Sequence, residues 1–171
     1  MITKSTLLKF YKRKDIREVM IEHSQDKEIA VRFEDYFGKR PDTLVYPNDV
    51  MELALQGSTS FHASEERWSN PLALSGELSK KELDEIRIGL DLVLDIDCKF
   101  IEYSKICADL IVKFFQFNDV KDISCKCSGN KGFHIGVPFE AFPSKIGDVD
   151  TALLFPEAAK KIALYVKDHI E

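Results

Sequence analysis

The chain has 171 residues, a formal net charge of −5, and a composition that is 44% hydrophobic and 31% charged. This balance is typical of a folded globular protein, and the acidic charge excludes a protein that coats nucleic acid by bulk electrostatics. No run approaches the roughly 18 apolar residues that span a bilayer, and charges come too early for a secretory signal. We therefore expect a cytoplasmic protein with reduced cysteines and no membrane partner.

The N-terminal half predicts helices around short strands. Apolar residues at helical spacing mark the first helices, while β-branched residues mark the first strand. Glycine and proline mark a loop, and Asn48 or Asp49 is the predicted cap of the helix that Gly57 closes. The predicted elements are one or two helices over 3–24 within an N-terminal helical segment 1–27, a strand over 28–33, a loop over 36–47, a helix over 48–56 and an exposed strand over 58–68.

The C-terminal half predicts a strand, helix, strand, hairpin unit. Ser79 and Glu82 form a capping-box pattern at the start of a helix. The predicted elements are a helix from Ser79 to Gly89, strands over 90–97, 122–128 and 133–138, a helix over 102–117 with Ile106, Leu110, Ile111, Phe114 and Phe117 on one face, and a final helix from Pro156 to Glu171. This order predicts an α+β fold, a mixed β-sheet with flanking helices.

The strand over 90–97 carries two aspartates, Asp95 and Asp97. Alternate side chains of a strand share a face, so both carboxylates point the same way, with Cα atoms roughly 6 to 7 Å apart. Two like charges at the end of an apolar strand are costly without a counter-charge, which Mg²⁺ or Mn²⁺ would provide. The alternative is a strand end in solvent, with both acids simply hydrated.

Residues 128–134, SGNKGFH, follow a predicted strand. The glycines let the backbone approach a ligand closely, and successive N–H groups in such a turn form an anion-binding concavity. Ser128 adds a hydroxyl, Lys131 a positive charge and His134 a hydrogen-bond donor, as a triphosphate would require. The alternative is a β-hairpin with a glycine-rich turn, a surface lysine and a half-buried histidine.

The acidic pair and the turn together form a metal-and-phosphate pattern, which phosphoryl and nucleotidyl transfer use. The segment DLVLDIDC, the helix after it and the segment CSGNKGFHIGV resemble motifs I and II of the small catalytic subunit of archaeo-eukaryotic DNA primases. Upstream, SFHASEERWSNP resembles the run that precedes motif I in these enzymes. The resemblance covers roughly residues 28–140, and its two motifs are specific in combination and order.

The resemblance implies a primer polymerase, a DNA-directed nucleotidyltransferase that synthesises short primers from nucleoside triphosphates on a single-stranded DNA template. Asp95 and Asp97 would be catalytic and would hold Mg²⁺ or Mn²⁺. The residues implied to bind the nucleotide are Ser128, Gly129, Lys131, Gly132 and His134. The implied fold is a primase-like core, an RRM-like unit joined to a second αβ unit, over 1–171. A primase large subunit would be the expected partner.

The sequence departs from the family pattern at one basic residue, Lys131, and at its cysteines. Lys131 stands where the family has arginine, so the charge is kept but the bidentate fork to phosphate is lost. The family usually inserts a zinc-binding knuckle between the motifs, whereas this chain has Cys98 and Cys107 and then the C-x-C pair Cys125 and Cys127. No C-x2-C pair is present, so we expect small buried thiols and no zinc.

The family's remaining metal-binding aspartate belongs to a later apolar strand, and no such segment occurs before Glu171. Asp148 and Asp150 lie in a loop context and are interpreted as surface turn residues. Three interpretations follow from this departure. The chain is the N-terminal portion of a longer primase, or a compact or split form that takes its third acid from another polypeptide, or a form that no longer polymerises.

Two classes of function therefore stay open. The first is a primase-like enzyme in which metal ions activate a 3′-hydroxyl and stabilise the leaving pyrophosphate. The second is a non-catalytic, primase-derived module that binds nucleotide or template or docks to a partner. An end-joining repair polymerase would share motifs I and II, so repair and replication are not separated at this point. A chance match within a soluble α+β domain is the remaining interpretation.

Overall fold

The computed structural model describes residues 3–170, and the chain divides into two compact units, Met1–Ile88 and Gly89–Glu171. The first two residues and the last one lie outside the described residues, and with them the outermost positions of the predicted N-terminal segment and final helix. Each unit contains both helices and strands, which confirms the α+β class.

Helices and short strands alternate along the chain. The helices are α1 (Lys4–Tyr11), α2 (Lys14–His23), α3 (Pro47–Gln56), α4 (Lys80–Ile86), α5 (Ile101–Phe117) and α6 (Glu157–Ile170). The strands are β1 (Ile29–Phe33), β2 (Tyr36–Phe37), β3 (Ser60–Ala63), β4 (Glu66–Trp68), β5 (Arg87–Leu90), β6 (Leu92–Ile96), β7 (Ser124–Cys127), β8 (Phe133–Val137), β9 (Lys145–Ile146) and β10 (Val149–Asp150).

The strands form small sheets rather than one mixed sheet. Their orders are β2-β1-β3, β4-β5, β6-β8-β7 and β9-β10. Two separate hydrophobic cores account for this division, because strands gather where their apolar faces can be buried. One core belongs to the first unit and contains Ile29 and Val50, and the other belongs to the second unit and contains Leu92 and Ile135.

In the first unit, α1, α2 and α3 pack on one another, and α1 and α3 contribute Tyr11, Val50 and Ala54 to a core shared with β1. The predicted strand over 28–33 is confirmed as β1. The predicted loop after it contains the two-residue strand β2, because Arg32 and Phe33 pair with Phe37 and Tyr36. The predicted exposed strand over 58–68 is two strands, β3 and β4.

The ends of α3 show one confirmed and one wrong prediction. Gly57 closes the helix at φ 103°, as predicted. The N-cap is Tyr46, and neither Asn48 nor Asp49 takes that position. Asp49 instead lies one turn inside and accepts a 2.8 Å hydrogen bond from the Tyr46 amide. A Pro47 at the first helical position fixes the start of the helix there, because proline needs no donor at that point.

Helix α4 begins as predicted and ends earlier than predicted. Ser79 and Glu82 form the predicted capping box. The helix stops at Ile86 because the next residues join strand β5, which carries the chain into the second unit. In that strand Gly89 is required by packing, since an added Cβ would lie 2.7 Å from the ring of Phe139.

In the second unit, α5 and α6 pack with the antiparallel sheet β6-β8-β7. The predicted helix over 102–117 is confirmed as α5, but of the apolar set predicted for one face only Ile111 is fully buried. Ile106 and Phe117 are 57% and 90% exposed, whereas Ser104, Ala108 and Phe115 are buried. Small residues face the sheet because they allow close approach of the helix. Within residues 3–170, no helix is long and apolar enough to cross a membrane.

Candidate functional site

The two predicted motifs meet on the three-stranded sheet of the second unit. Strand β8 lies between β6 and β7, so its residues have neighbours on both sides. On one face, Leu94 of β6 pairs with Ile135 of β8, which is fully buried in the core. Residues next along the strand point to the opposite face, where Asp95 pairs with His134. The register thus directs motif I and motif II side chains to one surface.

Asp95 and His134 are in direct contact. The His134 Nε2 lies 3.4 Å from the Asp95 Oδ1, slightly longer than an ordinary hydrogen bond. The histidine side chain is 32% exposed and the aspartate side chain 67% exposed. Both groups can therefore reach a ligand from solvent while their backbones are fixed by strand pairing.

Asp97 follows the last residue of β6 and is exposed. Asp95 and Asp97 line the same groove, about 670 Å³ in volume, which β6 forms with the helices α5 and α6. Its walls are mostly apolar, with Tyr103 and Ile106 from α5 and Ile170 from α6. The groove lies on the face of β6 that packs on the helices, and the side chain of Asp95 points to the other face with His134. The structure therefore places both predicted acids at the solvent-exposed end of β6, at the rim of this groove.

The donor set suits a hard divalent cation. Mg²⁺ is usually bound by one or two carboxylates together with waters and substrate phosphates, and Asp95 and Asp97 provide that number of carboxylates. Across residues 3–170, no cluster of three or more His, Cys, Asp or Glu side chains is arranged to hold a metal ion. Among these residues, Asp95 and Asp97 are the carboxylates that the site would offer to such an ion.

The predicted turn is closed and fixed against β6. The Ser128 amide donates a 3.0 Å hydrogen bond to the Gly132 carbonyl. Gly129 has φ 101°, a conformation that glycine adopts without strain. Gly132 is buried, and an added Cβ would lie 2.4 Å from the carbonyl oxygen of Ile96. Because Ile96 lies between the two acidic residues, this contact holds the turn beside the acidic pair.

Lys131 lies at the exposed side of this turn. Within the described residues it makes no hydrogen bond or ion pair, and the same is true of Asp97. The structure therefore brings together all the predicted site residues around β6, β8 and the turn. It leaves the two acids and the lysine with charges that no group of the described chain neutralises, apart from the contact of His134 with Asp95.

One residue of this surface was missed in the sequence. Lys126 of β7 pairs with His134 and points to the same face as Asp95. A signal for it was available, because the hairpin is symmetrical about Asn130. Counting outwards from that residue places Lys126 opposite His134, as in any hairpin whose turn is centred there.

The cysteines are all free and occupy two places in the second unit. The expectation of small buried thiols is wrong for Cys125 and Cys127, which are exposed because β7 is an edge strand, and alternation along that strand turns them away from the face of Lys126. Burial raises the pKa of the Cys107 thiol, and the nearby Cys98 raises it further. A raised pKa keeps Cys107 protonated and unreactive at neutral pH. The expectation that zinc is absent stays a prediction.

Asp148 and Asp150, the two aspartates of the β9-β10 hairpin, have local roles. Asp148 lies in the turn between β9 and β10 and is exposed. Asp150 is also exposed, and its Oδ1 accepts a 3.0 Å hydrogen bond from the Ala152 amide at the start of a 3₁₀ turn. This matches the interpretation of both as surface turn residues.

Comparison with known proteins gives a likeness in structure but none in sequence. No protein-family model and no curated protein sequence matches the chain. Among solved structures, the chain is similar to the polymerase domain from Mycobacterium tuberculosis ligase D in complex with DNA, with a TM-score of 0.63 and 17% sequence identity. The match covers 99% of this chain and 63% of that chain, so this chain spans less than two thirds of the neighbour's length.

At this identity the likeness establishes a shared fold. It confirms the predicted fold class, an α+β fold, which this chain shares with that polymerase domain. The narrower identification with a primase small subunit, the site residues and the domain ranges stay predictions. So does the cytoplasmic location.

Proposed function

We propose that the chain is a divalent-metal-dependent nucleotidyltransferase that synthesises short primers on single-stranded DNA, as the small catalytic subunit of a DNA primase does. The observation that carries the proposal is the adjacency of the acidic pair and the glycine-rich turn. Asp95 touches His134, and Gly132 lies against the Ile96 carbonyl. A metal-binding pair and an anion-binding turn on one surface are what transfer of a nucleotide needs.

In this proposal Asp95 and Asp97 hold Mg²⁺ or Mn²⁺. When bound, such an ion polarises phosphoryl oxygens and stabilises the leaving pyrophosphate. The chain's own residues orient the nucleotide. The turn amides and the Ser128 hydroxyl donate hydrogen bonds to the phosphates at the end of β6, Lys131 supplies a positive charge, and His134 donates from the centre of the sheet. His134 is also fixed in place by its contact with Asp95.

The proposed ligands and partners are nucleoside triphosphates, a single-stranded DNA template and a primase large subunit, in the cytoplasm. The structural neighbour is a polymerase domain in complex with DNA, which supports a nucleic-acid ligand for this fold. The net charge of −5 implies that the template is gripped locally or with the help of a partner.

A second candidate is a non-catalytic module that binds nucleotide or template. It is favoured by the acidic pair itself, because the described residues offer two carboxylates and no third acid beside them. An end-joining repair polymerase is a further alternative within the enzyme class, and the polymerase domain of a ligase as structural neighbour supports it to the same degree.

The test is calorimetric titration with ATP and Mn²⁺, followed by primer synthesis on single-stranded DNA. We expect the parent to bind and Asp95→Asn with Asp97→Asn to lose metal-dependent binding while remaining folded. The matched control is Asp122→Asn with Asp148→Asn, which removes two exposed acids of the same unit and should bind like the parent. Lys131→Ala should weaken ATP binding more than AMP binding.

Each result assigns the chain to one class. Binding with primer synthesis supports the primase. Synthesis that needs a pre-formed primer or a broken end favours the repair polymerase. Binding without synthesis supports the module. Absence of nucleotide binding in the parent, or equal binding in the Asp95 and Asp97 double variant, overturns the proposal.

A further inference from the structure

A second positive charge lies on the same face of the sheet as the acidic pair. Lys126 of β7 pairs with His134 of β8, and His134 pairs with Asp95 of β6. Directly opposite residues of neighbouring antiparallel strands point to the same face, with Cβ atoms about 4.5 to 5.5 Å apart. The three side chains therefore form a row across the sheet, which we call the charged row (Asp95, His134 and Lys126).

The charged row is open on one side. The next row on the same face, two residues further along each strand, consists of Val93, Gly136 and Ser124. Gly136 has no side chain, and the Ser124 hydroxyl turns back to donate a 3.3 Å hydrogen bond to the Gly136 carbonyl. Because Gly136 has no side chain, the middle strand β8 is not covered by a side chain of its own beside His134. A flat ligand segment can lie there against His134 and within reach of Lys126.

The charge changes sign along the charged row. Neighbouring strands are about 4.7 to 4.9 Å apart, so the backbones of Asp95 and Lys126 are separated by about 9 to 10 Å. Within the described residues, the side chain of Lys126 forms neither an ion pair nor a hydrogen bond, whereas that of Asp95 contacts His134. The acidic end suits a cation, and the basic end suits the outer part of an anion held by that cation.

We propose that Lys126 is a second phosphate-binding residue of this site and contacts the outer phosphates of the nucleoside triphosphate. This inference rests on the proposed function. With its phosphates drawn toward a metal at Asp95, the triphosphate extends along the charged row over His134 to the ammonium of Lys126. Lys131 then approaches the same phosphates from the turn, so the chain supplies two cations where one was predicted.

A structural explanation of Lys126 also exists. Strand β7 is an edge strand of its sheet, and lysines on edge strands prevent pairing with other chains. The two roles differ in what they predict. A phosphate-binding lysine affects affinity according to the number of phosphates, whereas an edge lysine affects self-association alone.

The experiment titrates the full chain with ATP and with AMP in the presence of Mn²⁺. The variants are Lys126→Ala, Lys126→Arg and the control Lys121→Ala, an exposed lysine in the segment before β7. We expect Lys126→Ala to bind ATP about ten-fold more weakly and AMP within about two-fold of the parent, because a hydrogen bond to a charged group is lost. Lys126→Arg should keep most of the affinity, and Lys121→Ala should bind like the parent.

The outcomes separate this inference from the function on which it rests. If the parent binds ATP and Lys126→Ala binds it equally well, the role of Lys126 is overturned and the proposed function stands. Equal losses for ATP and AMP also overturn it, as does self-association of Lys126→Ala in sedimentation with unchanged ATP affinity. If the parent binds no nucleotide, the proposed function fails and the role of Lys126 fails with it.

Discussion

The two units differ in the environment of their most notable charged side chains, which is buried in the first unit and exposed in the second. In the first unit Arg87 is nearly buried, with 5% of its side chain exposed, and forms ion pairs with Glu66 at 2.7 Å and with Asp84. In the second unit Asp95 and Lys126 lie in solvent on the charged row. Charges that are neutralised inside the chain contribute to stability. Charges that lie in solvent contribute little to stability and are available to a ligand.

The largest expected effect comes from Arg87→Met in the first unit. Removing one partner of a buried ion pair costs about 3 to 5 kcal/mol, because Glu66 loses its cation and Asp84 keeps only Lys80. The stacking of the guanidinium 5.1 Å from the ring centre of Trp68 is lost as well. Urea unfolding followed by the fluorescence of Trp68, the single tryptophan, measures the change.

Arg13→Met is the matched control for that substitution. Arg13 also pairs with an aspartate, Asp15, but both side chains are more than half exposed. Exposed pairs are screened by solvent and salt, so the free energy of unfolding should hardly change. Equal losses for Arg13→Met and Arg87→Met would contradict the contrast between buried and exposed pairs.

The second effect concerns acid stability. The hydrogen bond from Lys80, aided by that from Arg87, lowers the pKa of the Asp84 carboxyl below its ordinary value. A lowered folded pKa gives stability that is present above the unfolded pKa and is lost as the pH falls through the folded pKa. The free energy of unfolding should therefore fall below about pH 4, the ordinary aspartate pKa. Asp84→Asn and Lys80→Met should both flatten this fall, and an unchanged pH profile in both would contradict it.

A smaller effect compares two glycines. Gly57 and Gly129 have φ near 100°, and nothing lies within 4 Å of a Cβ added at either. Alanine at each position should cost about 1 to 2 kcal/mol through backbone strain alone. Only Gly129→Ala should also weaken ATP binding, since its turn carries Ser128 and Lys131. Calorimetry and urea unfolding on both variants test this, and a binding loss in Gly57→Ala would count against a local effect.

The smallest effect on stability is expected for Asp97→Asn. The side chain is exposed and unpaired among the described residues, so the free energy of unfolding should change by less than about 0.5 kcal/mol. Binding of Mn²⁺ with ATP should nevertheless fall. Stability loss above about 1 kcal/mol would show that Asp97 belongs to the fold rather than to the ligand.

Local signals were the predictable part of this fold. The capping box of Ser79 and Glu82 and the closure of α3 by Gly57 depend on residues a few positions apart, and both were confirmed. The alternation in β6 was also visible, because polar and apolar residues alternate on its two faces. Each of these signals involves neighbours along the chain.

Helix α5 shows why burial was harder to predict. Its apolar residues lie nearly all round, so their spacing does not select the buried face. The sheet selects it instead through the small residues Ser104 and Ala108, which are buried. Ile106 and Leu110 then line the groove beside the acidic pair. Which face of α5 is buried therefore depends on the sheet that packs against it, and the sequence of the helix alone does not contain that information.

The sequence identified most residues of the candidate site, but it did not show how they are arranged in space. The contact of Gly132 with the Ile96 carbonyl joins two segments 36 positions apart, and no periodicity reports it. Lys126 was missed because its chemistry is ordinary and only its pairing with His134 makes it notable. The pairing itself follows from the centre of the hairpin turn, so sequence reasoning could have reached it.

The pairing of β6 with β8 also limits which insertions and deletions the sequence can accept. Asp95 faces His134 because Leu94 and Ile96, on either side of it, point to the opposite face. Gaining or losing one residue inside β6 would turn Asp95 toward the core and bring Ile96 out to solvent. Variation in length should therefore be confined to the connections on either side of β6, while β6 itself changes by substitution alone.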